Sequence, residues 1–339
     1  MGPKKIMVRR ATQDSGFIGI DAVIFGAKDM AEARKLFGDF GLTKKRDTKT
    51  RLVFATEIGS EIVICPSGAK DLPPPINQDA EFREVIWGVK TAKDVARIAD
   101  DLARDRDVRH DRDGTIHAVD DAGIHFGVRV WRHGNEPKRA TALPLNAPGA
   151  RHRVDAPSPM YARAKPYRIG HIVFNVPDVP KAERFYTKRL GFSLSDRYAG
   201  GAATFLRWAA RSDHHNLFMF RLPSRIVDLH HLAFEVHDIH EVFGGGLHFT
   251  GLGWKTAVGP GRHPISSAYF WYFANPLGGM LEYFSNPDFV TEAWKPTNFR
   301  VNRFSEWHLV DGIPVPRETI VQPSLKAAKA HANERGANP

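Results

Sequence analysis

Three residues in the second half of the chain have the types and settings of metal ligands. His171 lies in the apolar run that opens this half, His231 begins a later strand-like run, and Glu282 lies between Leu281 and Tyr283 in a third. A carboxylate inside an apolar strand costs free energy unless it is paired or bound to a cation. Because side chains alternate along a strand, each of the three can point to the same side as the residues two positions away. The sequence therefore predicts a metal site.

Two neutral imidazoles and one carboxylate form the facial triad of non-haem Fe(II) oxygenases, which leaves coordination positions open for substrate and dioxygen. We therefore expect Fe(II). Mn(II) is the alternative, because it accepts the same ligands. Each residue also has another interpretation, because a strand histidine can be a hydrogen-bonded core residue and Glu282 can be an ion-pair partner. The prediction depends on all three occurring together, at equivalent places in a repeated unit.

The elements that would position these ligands occur twice along the chain. An apolar run over 17–26 is followed by an amphipathic segment over 30–40. The same order returns about 150 residues later, as an apolar run over 167–176 and a helical pattern over 180–190. Further strands are expected over 52–56, 61–65, 84–89, 123–130, 203–208, 216–220, 231–236 and 279–284, and further helices over 92–102 and 239–247. These patterns predict an α+β fold of four strand–helix–strands units in two tandem domains, with two unrelated α+β domains as the alternative.

The expected organisation is an N-terminal arm over 1–16, an N-terminal domain over 17–131, a linker over 132–166, a catalytic domain over 167–287 and a C-terminal extension over 288–339. The first domain has Asp21, Glu84 and Gly127 near the places of the three candidate ligands, so we expect it to be non-catalytic. The aromatic residues of the extension suggest that it packs as a lid or an arm, with a polar end over 325–336 that frays.

Composition and charge exclude several classes of protein. The net charge of +10 arises largely from the N-terminus and from the stretch 132–168, which is typical of a solvated linker, so we expect no nucleic-acid partner. No apolar run approaches the roughly 20 residues of a membrane-spanning helix, and no secretion signal is evident. The only cysteine, Cys65, cannot form an intrachain disulfide or a thiolate metal site. We therefore expect a cytoplasmic protein whose metal ligands are nitrogen and oxygen atoms.

A long linear motif accompanies the third candidate ligand. The segment over 261–282 contains, in order, His263, Tyr272, Asn275-Pro276, Gly278 and Glu282. With Gly170-His171 and His230-His231, it resembles the two-domain type I extradiol dioxygenases of the vicinal oxygen chelate superfamily. The resemblance covers nearly all of 17–286, strongly in the second half and only as fold in the first. Trp271 departs from the aliphatic residue or Phe that the family has before the tyrosine.

The resemblance implies two tandem domains, each of paired βαβββ modules, and an enzyme that inserts both atoms of O2 into a catechol-type diol in aromatic-compound degradation. It implies that His171, His231 and Glu282 hold the metal, and that His215 is the acid–base group while its neighbour His214 faces solvent. It further implies that His263 and Tyr272 hydrogen-bond the diol or its intermediates. Family members are commonly homo-oligomers, so we expect one here. His230, His237, His240 and His248 are expected to be solvated or to lie behind the ligands.

Other functions remain open on the same fold. Related members include 4-hydroxyphenylpyruvate dioxygenases, glyoxalases and metal-dependent thiol transferases, and a ligand-sequestering protein is a further alternative. The combination of His215, His263 and Tyr272 favours ring cleavage over the first group, and the metal ligands weigh against the last. Candidates for the wall of an aromatic pocket are Phe205, Trp208, Phe218, Phe234 and Trp271, and Arg262 is a candidate partner for a substrate carboxylate or nitro group.

Overall fold

The two halves of the chain each build one large β-sheet. The computed structural model describes residues 15–134, 145–158, 160–198, 200–222, 224, 226–301 and 304–315. Most of the predicted N-terminal arm and the polar end over 325–336 lie outside these residues. The predicted limits of the arm, the linker, the two domains and the extension stay predictions.

The sheet of the first half has eight strands in the order β2-β3-β4-β1-β5-β8-β7-β6. Its centre is the antiparallel pair of β1 and β5, and each of these strands pairs on its other side with a parallel strand. The strands are β1 (Phe17–Ala27), β2 (Thr43–Asp47), β3 (Leu52–Ala55), β4 (Glu61–Pro66), β5 (Phe82–Val89), β6 (Arg109–His110), β7 (Ile116–Val119) and β8 (His125–Val130).

The sheet of the second half has eleven strands in the order β19-β10-β11-β13-β9-β14-β17-β16-β15-β20-β21, and β12 and β18 form a separate pair. The strands before the extension are β9 (Arg168–Asn175), β10 (Ser193–Tyr198), β11 (Ala203–Arg207), β12 (Ser212–Asp213), β13 (Leu217–Phe220), β14 (Asp228–Glu235), β15 (Thr256–Arg262), β16 (Tyr269–Ala274) and β17 (Met280–Ser285). The extension adds β18 (Phe289–Val290), β19 (Thr297–Phe299), β20 (Trp307–Val310) and β21 (Ile313–Pro314).

The central eight strands of the second sheet repeat the order of the first. In each sheet, two units of strand, helix and three strands meet through an antiparallel pair of their opening strands. The predicted α+β fold of paired βαβββ modules is therefore confirmed. Since both halves share this order, duplication of one module explains them better than two unrelated domains do.

The helices lie where the patterns predict them, each after the opening strand of its unit. They are α1 (Met30–Asp39), α2 (Ala92–Leu102), α3 (Val179–Phe185) and α4 (Ile239–Gly251). An Asp or Thr side chain at each N-cap accepts a backbone N–H of the first turn, which satisfies donors that a helix start leaves free. The predicted helix over 180–190 is shorter than expected, because Tyr186–Leu190 forms a π-helical turn. Among the described helices, none combines the length and the apolar character that crossing a lipid bilayer would take.

Two strands at the edges of the first sheet were not predicted. All five residues of β2 and both residues of β6 are exposed and polar, so neither strand has the apolar alternation that indicates a strand. They form because a neighbouring strand offers free backbone groups, through the pairs β2–β3 and β6–β7. Such strands depend on tertiary pairing and not on local sequence preference.

One hydrophobic core continues from the first half into the second. Phe40, just after α1, stacks on Tyr283 of β17 with ring centroids 4.2 Å apart, and the Tyr283 hydroxyl donates to the Phe40 carbonyl at 2.8 Å. Phe82 and Phe174 add an edge-to-face pair at 5.2 Å. Aromatic pairs of this kind contribute about 0.5–1.5 kcal/mol each beyond the area they bury. The first half therefore supports the strand that carries Glu282.

The end of the predicted linker is part of this packing. Ala164 is only 2% exposed, and the backbone N–H of Lys165 donates to the Glu241 carboxylate of α4 at 2.7 Å. The expectation of a solvated linker is therefore wrong for its last residues, whereas 145–155 is mostly exposed. The reason is that Ala164 is small enough to pack against Gly245 of α4, where a side chain on that glycine would contact it.

A buried carboxyl also joins the halves. The Tyr186 hydroxyl donates to Asp120 Oδ2 at 3.0 Å, and Asp120 Oδ1 accepts the backbone N–H groups of Ala122 and Ile124. Burial raises the pKa of Asp120 to about 6, although these hydrogen bonds act in the opposite direction. The folded protein therefore binds a proton at Asp120 more tightly than the unfolded chain does.

We predict that Asp120 makes stability fall between about pH 4 and pH 6. Its folded pKa lies above its unfolded value, so its stabilising contribution is complete below the unfolded pKa and is lost as the pH rises through the folded pKa. A rise of about two units corresponds to about 3 kcal/mol. Urea unfolding of Asp120→Asn should lack this fall, because the amide carries no charge. Asp100→Asn, a control on an exposed carboxylate of α2, should keep the wild-type pH dependence; equal profiles for wild type and Asp120→Asn would contradict the assignment.

Candidate metal centre and active site

The three predicted ligands meet on one face of the second sheet. Ala233 of β14 pairs with His171 of β9 on one side and with Glu282 of β17 on the other. His231 lies two residues before Ala233 on β14, so it points to the same face. Strand β14 begins at Asp228 and includes His231 in its interior, whereas the sequence predicted that the strand starts at His231. Three adjacent strands thus bring the three side chains together.

The ligand atoms lie within contact of one another. Nε2 of His171 is 3.1 Å and Nε2 of His231 is 3.3 Å from Oε2 of Glu282, and the two nitrogens are 3.3 Å apart. All three side chains are buried. Neither carboxylate oxygen of Glu282 has a hydrogen bond among the described residues, although imidazole nitrogens lie 3.1–3.8 Å away. Two buried, unpaired carboxylate oxygens are costly without a cation, so this arrangement fits a divalent metal ion.

The charge state of the three side chains suits a metal. Burial alone would raise the pKa of Glu282, but the imidazoles of His171 and His263 outweigh it and the pKa is lowered. Burial, together with the neighbouring histidines, holds the pKa of His231 well below its usual value. Glu282 is therefore a carboxylate and His231 is a neutral imidazole, as metal ligands of these types must be.

His230 sets the protonation of the second ligand. Its Nδ1 lies 2.7 Å from Nδ1 of His231, and burial lowers the pKa of His230 to about 4. A neutral His231 that presents Nε2 to a metal must carry its proton on Nδ1, and His230 accepts that proton's hydrogen bond. Of the two positions expected for His230, solvated or behind the ligands, the structure places it behind His231.

Glycines allow the strands to approach at this point. A Cβ atom on Gly170 would lie 2.3 Å from the ring of Phe284, so only glycine fits before His171. Gly279 has a φ of +66°, and a Cβ atom there would lie 2.7 Å from the Leu229 carbonyl. The Asn275–Gly279 turn of the linear motif therefore admits β17 beside β14, in the register that presents Glu282.

The predicted acid–base residue lies beside the first ligand. The ring centroids of His215 and His171 are 4.5 Å apart. Burial and the surrounding imidazoles hold the pKa of His215 well below its usual value, so the ring is neutral at physiological pH. The loop that carries it is anchored by Asn216, which is fully buried, donates to the Gly170 carbonyl and accepts the backbone N–H of Trp208.

The expectation that His214 faces solvent is wrong. Its side chain is 1% exposed, and Nε2 lies 2.7 Å from Oδ2 of Asp196, a carboxylate that is itself buried. Nδ1 of His214 is 3.2 Å from Nδ1 of His215. The extension contributes to this burial, because the Trp294 ring lies 5.6 Å from the His214 ring and the Asp288 carbonyl accepts the His214 backbone N–H at 2.7 Å. No sequence motif indicated Asp196, which lies 18 residues before its partner.

His263 and Tyr272 form a hydrogen-bonded pair on the other side of the carboxylate. Nε2 of His263 is 3.0 Å from the Tyr272 hydroxyl and 3.8 Å from Oε1 of Glu282. Nδ1 of His263 lies 2.6 Å from the Phe304 carbonyl, which can only accept, so Nδ1 carries a proton. Burial and the charge of Glu282 hold the pKa of Tyr272 well above its usual value, and its hydroxyl stays protonated. A backbone carbonyl in the extension leaves no mark in the sequence, so Phe304 could not be predicted.

Two of the five aromatic candidates line the space beside the metal site. Phe205 and Phe218 stack at 4.1 Å, and their ring centroids lie 5.0 and 6.3 Å from that of His215. The other three, Trp208, Phe234 and Trp271, belong to the hydrophobic core.

The core positions of these three residues correct the expectation that they line the pocket. Phe234 packs on Phe40, and Trp271 fills the space left by Gly246 of α4. Because strand neighbours point to opposite faces, Trp271 lies on the helix side while Tyr272 faces the metal site. Arg262 pairs with Glu306 of the extension, so its positive charge is already neutralised.

The first half shows what replaces the metal site in the other copy. Ile86 pairs with Gly127 as Ala233 pairs with Glu282, so Gly127 lies at the position equivalent to Glu282. Glu84 lies two residues before Ile86, which is the position equivalent to His231. Glu84 accepts Nδ1 of His117 at 2.7 Å, and a Cβ atom on Gly127 would lie 3.3 Å from that nitrogen. Asp21 pairs with Arg129. These ion pairs occupy the position of the triad, and the described residues contain one group arranged to hold a metal, that of the second half.

Comparison with known proteins finds a family model that matches the half of the chain that carries this geometry. Residues 168–283 match the model of the Glyoxalase/Bleomycin resistance protein/Dioxygenase superfamily. The chain is 29% identical over 195 residues to metapyrocatechase 2 of Cupriavidus necator, a match that covers 57% of this chain and 60% of that protein. The chain is also 31% identical over 145 residues to 3-methylcatechol 2,3-dioxygenase of Pseudomonas putida, covering 41% of this chain and 48% of that one. The resemblance to extradiol dioxygenases is confirmed, although these matches span less than two thirds of either relative.

Several solved structures share the fold over nearly the whole chain. A Mn(II)-bound glyoxalase from Novosphingobium aromaticivorans superposes with a TM-score of 0.69 at 18% identity, over 92% of this chain and 96% of that one. BphC, a halotolerant catechol dioxygenase, superposes with a TM-score of 0.68 at 17% identity, over 87% and 94%. At such identities the likeness shows the fold alone.

We predict that Glu282→Gln and His231→Ala each weaken divalent-metal binding by more than about 100-fold, because loss of a ligand should cost more than loss of its hydrogen-bond partner. The measurement is titration calorimetry with Mn(II) on metal-free protein. Glu84→Gln is the control, since it neutralises a buried carboxylate of the first half at the register position that His231 holds in the second half. Wild-type Mn(II) affinity in Glu282→Gln would rule out this site.

Proposed function

We propose that the protein is an extradiol ring-cleaving dioxygenase that uses Fe(II) to insert both atoms of O2 into a catechol-type diol during the breakdown of aromatic compounds. The observation that carries the proposal is the arrangement of groups around Glu282. A neutral histidine, His215, lies beside the ligands on one side, and the His263–Tyr272 pair lies on the other. Metal binding alone would require none of these three groups.

His171, His231 and Glu282 would hold the metal, with Mn(II) as the alternative to Fe(II). When bound, the metal supplies a common coordination point through which the diol can pass electron density to dioxygen. A catechol and O2 combine without loss of atoms, because both oxygens enter the ring-opened acid. The reaction therefore needs no external reductant, and no site for one is required.

His215 is suited to accept and return the proton that a catechol must release. Its neutral ring has one nitrogen with a lone pair, and its Nδ1 is the nitrogen that contacts His214. This leaves Nε2 available to the substrate. A positioned acid–base group of this kind contributes about 10²–10⁴-fold to a rate.

The His263–Tyr272 pair offers donors to the oxygen atoms of the diol. The Phe304 carbonyl holds the proton of His263 on Nδ1, so Nε2 accepts from the Tyr272 hydroxyl while the site is empty of substrate. A diol oxygen that displaces this contact would take the hydroxyl as a donor, and the high pKa of Tyr272 keeps that proton in place. The pair thus orients the substrate without adding charge to a buried site.

The stacked pair of Phe205 and Phe218 gives one wall of the site an aromatic face, which suits a planar ring. Arg262 is paired with Glu306, so we assign it no substrate carboxylate or nitro group. The proposed partners are therefore a catecholic molecule and O2. A cytoplasmic location, the absence of a nucleic-acid partner and a homo-oligomeric state stay predictions.

A glyoxalase-like reaction is the second candidate, because a Mn(II)-bound glyoxalase shares the fold over 92% of this chain. The same metal site could serve it. The two functions differ in their use of oxygen, since isomerisation of a thiol adduct consumes none. The 4-hydroxyphenylpyruvate dioxygenase-like alternative consumes O2, but acts on a keto acid and not on a diol.

We predict that anaerobically purified protein loaded with Fe(II) consumes one O2 per catechol and forms a coloured ring-opened acid. An oxygen electrode measures the O2 consumed, and absorbance spectra measure the ring-opened acid formed, with a panel of monocyclic, bicyclic and carboxylated catechols. Hemithioacetal and 4-hydroxyphenylpyruvate serve as the competing substrates. Turnover of either one, with no oxygen uptake on any catechol, would replace the proposal by the corresponding alternative.

We further predict that His215→Ala retains Fe(II) but lowers kcat by about 10²–10⁴-fold, because it removes the acid–base group and leaves the ligands in place. Metal analysis and steady-state kinetics on the best catechol make the comparison. His248→Ala, on α4, is the control and should match wild type. If His215→Ala turned over as fast as wild type, another group would have to carry the proton.

A further inference from the structure

A buried hydrogen-bond series of three side chains, Asp196, His214 and His215, leads from near the edge of the second sheet to the active site. Oδ2 of Asp196 lies 2.7 Å from Nε2 of His214, and Nδ1 of His214 lies 3.2 Å from Nδ1 of His215. Asp196 and His214 are each 1% exposed. Solvent therefore cannot replace the hydrogen bonds of this series. The side chains themselves determine which ring nitrogen carries each proton.

When His214 is neutral, the donors and acceptors of the hydrogen-bond series allow only one placement of the protons. A carboxylate only accepts, so Nε2 of His214 carries the proton that Asp196 binds. A neutral imidazole has one N–H, which leaves Nδ1 of His214 as an acceptor. The proton between the two rings must then belong to Nδ1 of His215. Asp196 also attracts the buried guanidinium of Arg207.

The C-terminal extension closes over this hydrogen-bond series. The backbone N–H of Thr297 donates to Oδ1 of Asp196 at 2.6 Å, and the indole of Trp294 donates to the Ser195 carbonyl at 2.9 Å. The Trp294 ring lies 5.6 Å from that of His214. The two carboxylate oxygens of Asp196 thus have separate partners, Thr297 for one and His214 for the other, which fixes the carboxylate's orientation.

We propose that Asp196 and His214 are positioning residues that hold His215 as the Nδ1–H tautomer and so keep its Nε2 lone pair directed to the substrate. The catalytic consequence rests on the proposed function, because it requires His215 to accept a proton from a diol. The tautomer itself is a property of the protein without substrate. Neither residue touches the reacting atoms, and both act through His215.

Asp196→Asn should reverse the direction of the hydrogen bonds in the series without changing the shape of the side chain. The amide oxygen can keep the Thr297 hydrogen bond, so the amide NH2 faces Nε2 of His214 and donates to it. His214 then carries its proton on Nδ1 and donates to Nδ1 of His215. His215 must place its own proton on Nε2, where it blocks the lone pair. We expect kcat to fall by about 10–100-fold, with KM and metal content unchanged.

Two substitutions of His214 separate positioning from packing. A glutamine can donate its NH2 to Asp196 and accept from Nδ1 of His215 through its carbonyl, so His214→Gln keeps the donor and acceptor order. His214→Phe fills the space and provides neither group. We expect His214→Phe to lose kcat as Asp196→Asn does, and His214→Gln to recover most of that loss. Asp213→Asn, on the same loop but paired with Arg168, is the control for loss of a buried carboxylate.

The direct test is 15N NMR of histidine-labelled, full-length protein, both metal-free and loaded with Zn(II). His215→Gln identifies the His215 ring signals by their disappearance. We expect a proton on Nδ1 and none on Nε2 of His215 in wild type, His214→Gln and Asp213→Asn, and the reverse in Asp196→Asn. A proton on Nε2 of His215 in wild type overturns the proposal, including the case in which His214 is doubly protonated.

Kinetics provide the second test. In the His215→Ala background, Asp196→Asn should cause no further fall in kcat, because residues that act as a unit are not additive. A further fall of 10-fold or more there, or unchanged kcat in both Asp196→Asn and His214→Phe, would overturn the positioning role. If the protein shows the expected NMR pattern but consumes no O2 with any catechol, the tautomer assignment of His215 holds and the proposed function is rejected.

Discussion

The buried carboxylate of Glu282 is the constraint on which the active site depends. Its two oxygens lack hydrogen bonds among the described residues, and three imidazole nitrogens lie within 3.8 Å of one or the other. A group of this kind is stable in an apolar sheet only when a cation balances it. The backbone ladders and the surrounding packing therefore hold the three strands in one register without side-chain hydrogen bonds to Glu282. The aromatic contacts of Phe40 with Tyr283, the next residue of β17, supply part of that support from the first half.

The first half has the same register and, within its described residues, no comparable metal site, which separates the role of the fold from that of the side chains. Gly127 takes the place of Glu282, and His117 from the adjacent strand pairs with Glu84 near the space that a side chain there would enter. At this register Glu84 pairs with His117 and Asp21 pairs with Arg129, so these two carboxylates need no metal. Duplication has therefore kept the architecture while one copy balances its charges internally, and the other leaves them for an ion.

The sequence was sufficient for features that depend on local pattern and insufficient for those that depend on tertiary contacts. Strand alternation predicted that His171, His231 and Glu282 share a face, and repetition predicted four units. The burial of His214 was missed, because it depends on the Asp288 carbonyl of the extension and on Asp196 of a separate strand. The polar edge strands were missed for the same reason: their pairing partners, and not their own residues, hold them in the sheet.

The C-terminal extension belongs to the active site, since it reaches both edges of the second sheet. On one edge β19 joins β10 and brings the Thr297 N–H to Asp196, and on the other β20 joins β15 and follows the Phe304 carbonyl that binds His263. Both contacts are made by the backbone, so they constrain the extension's path and not its side-chain sequence. The Phe304 carbonyl fixes a proton on Nδ1 of His263, and the Thr297 N–H orients the carboxylate that contacts His214. The candidate ligands belong to the duplicated modules, whereas these two backbone groups come from a segment that the modules do not contain.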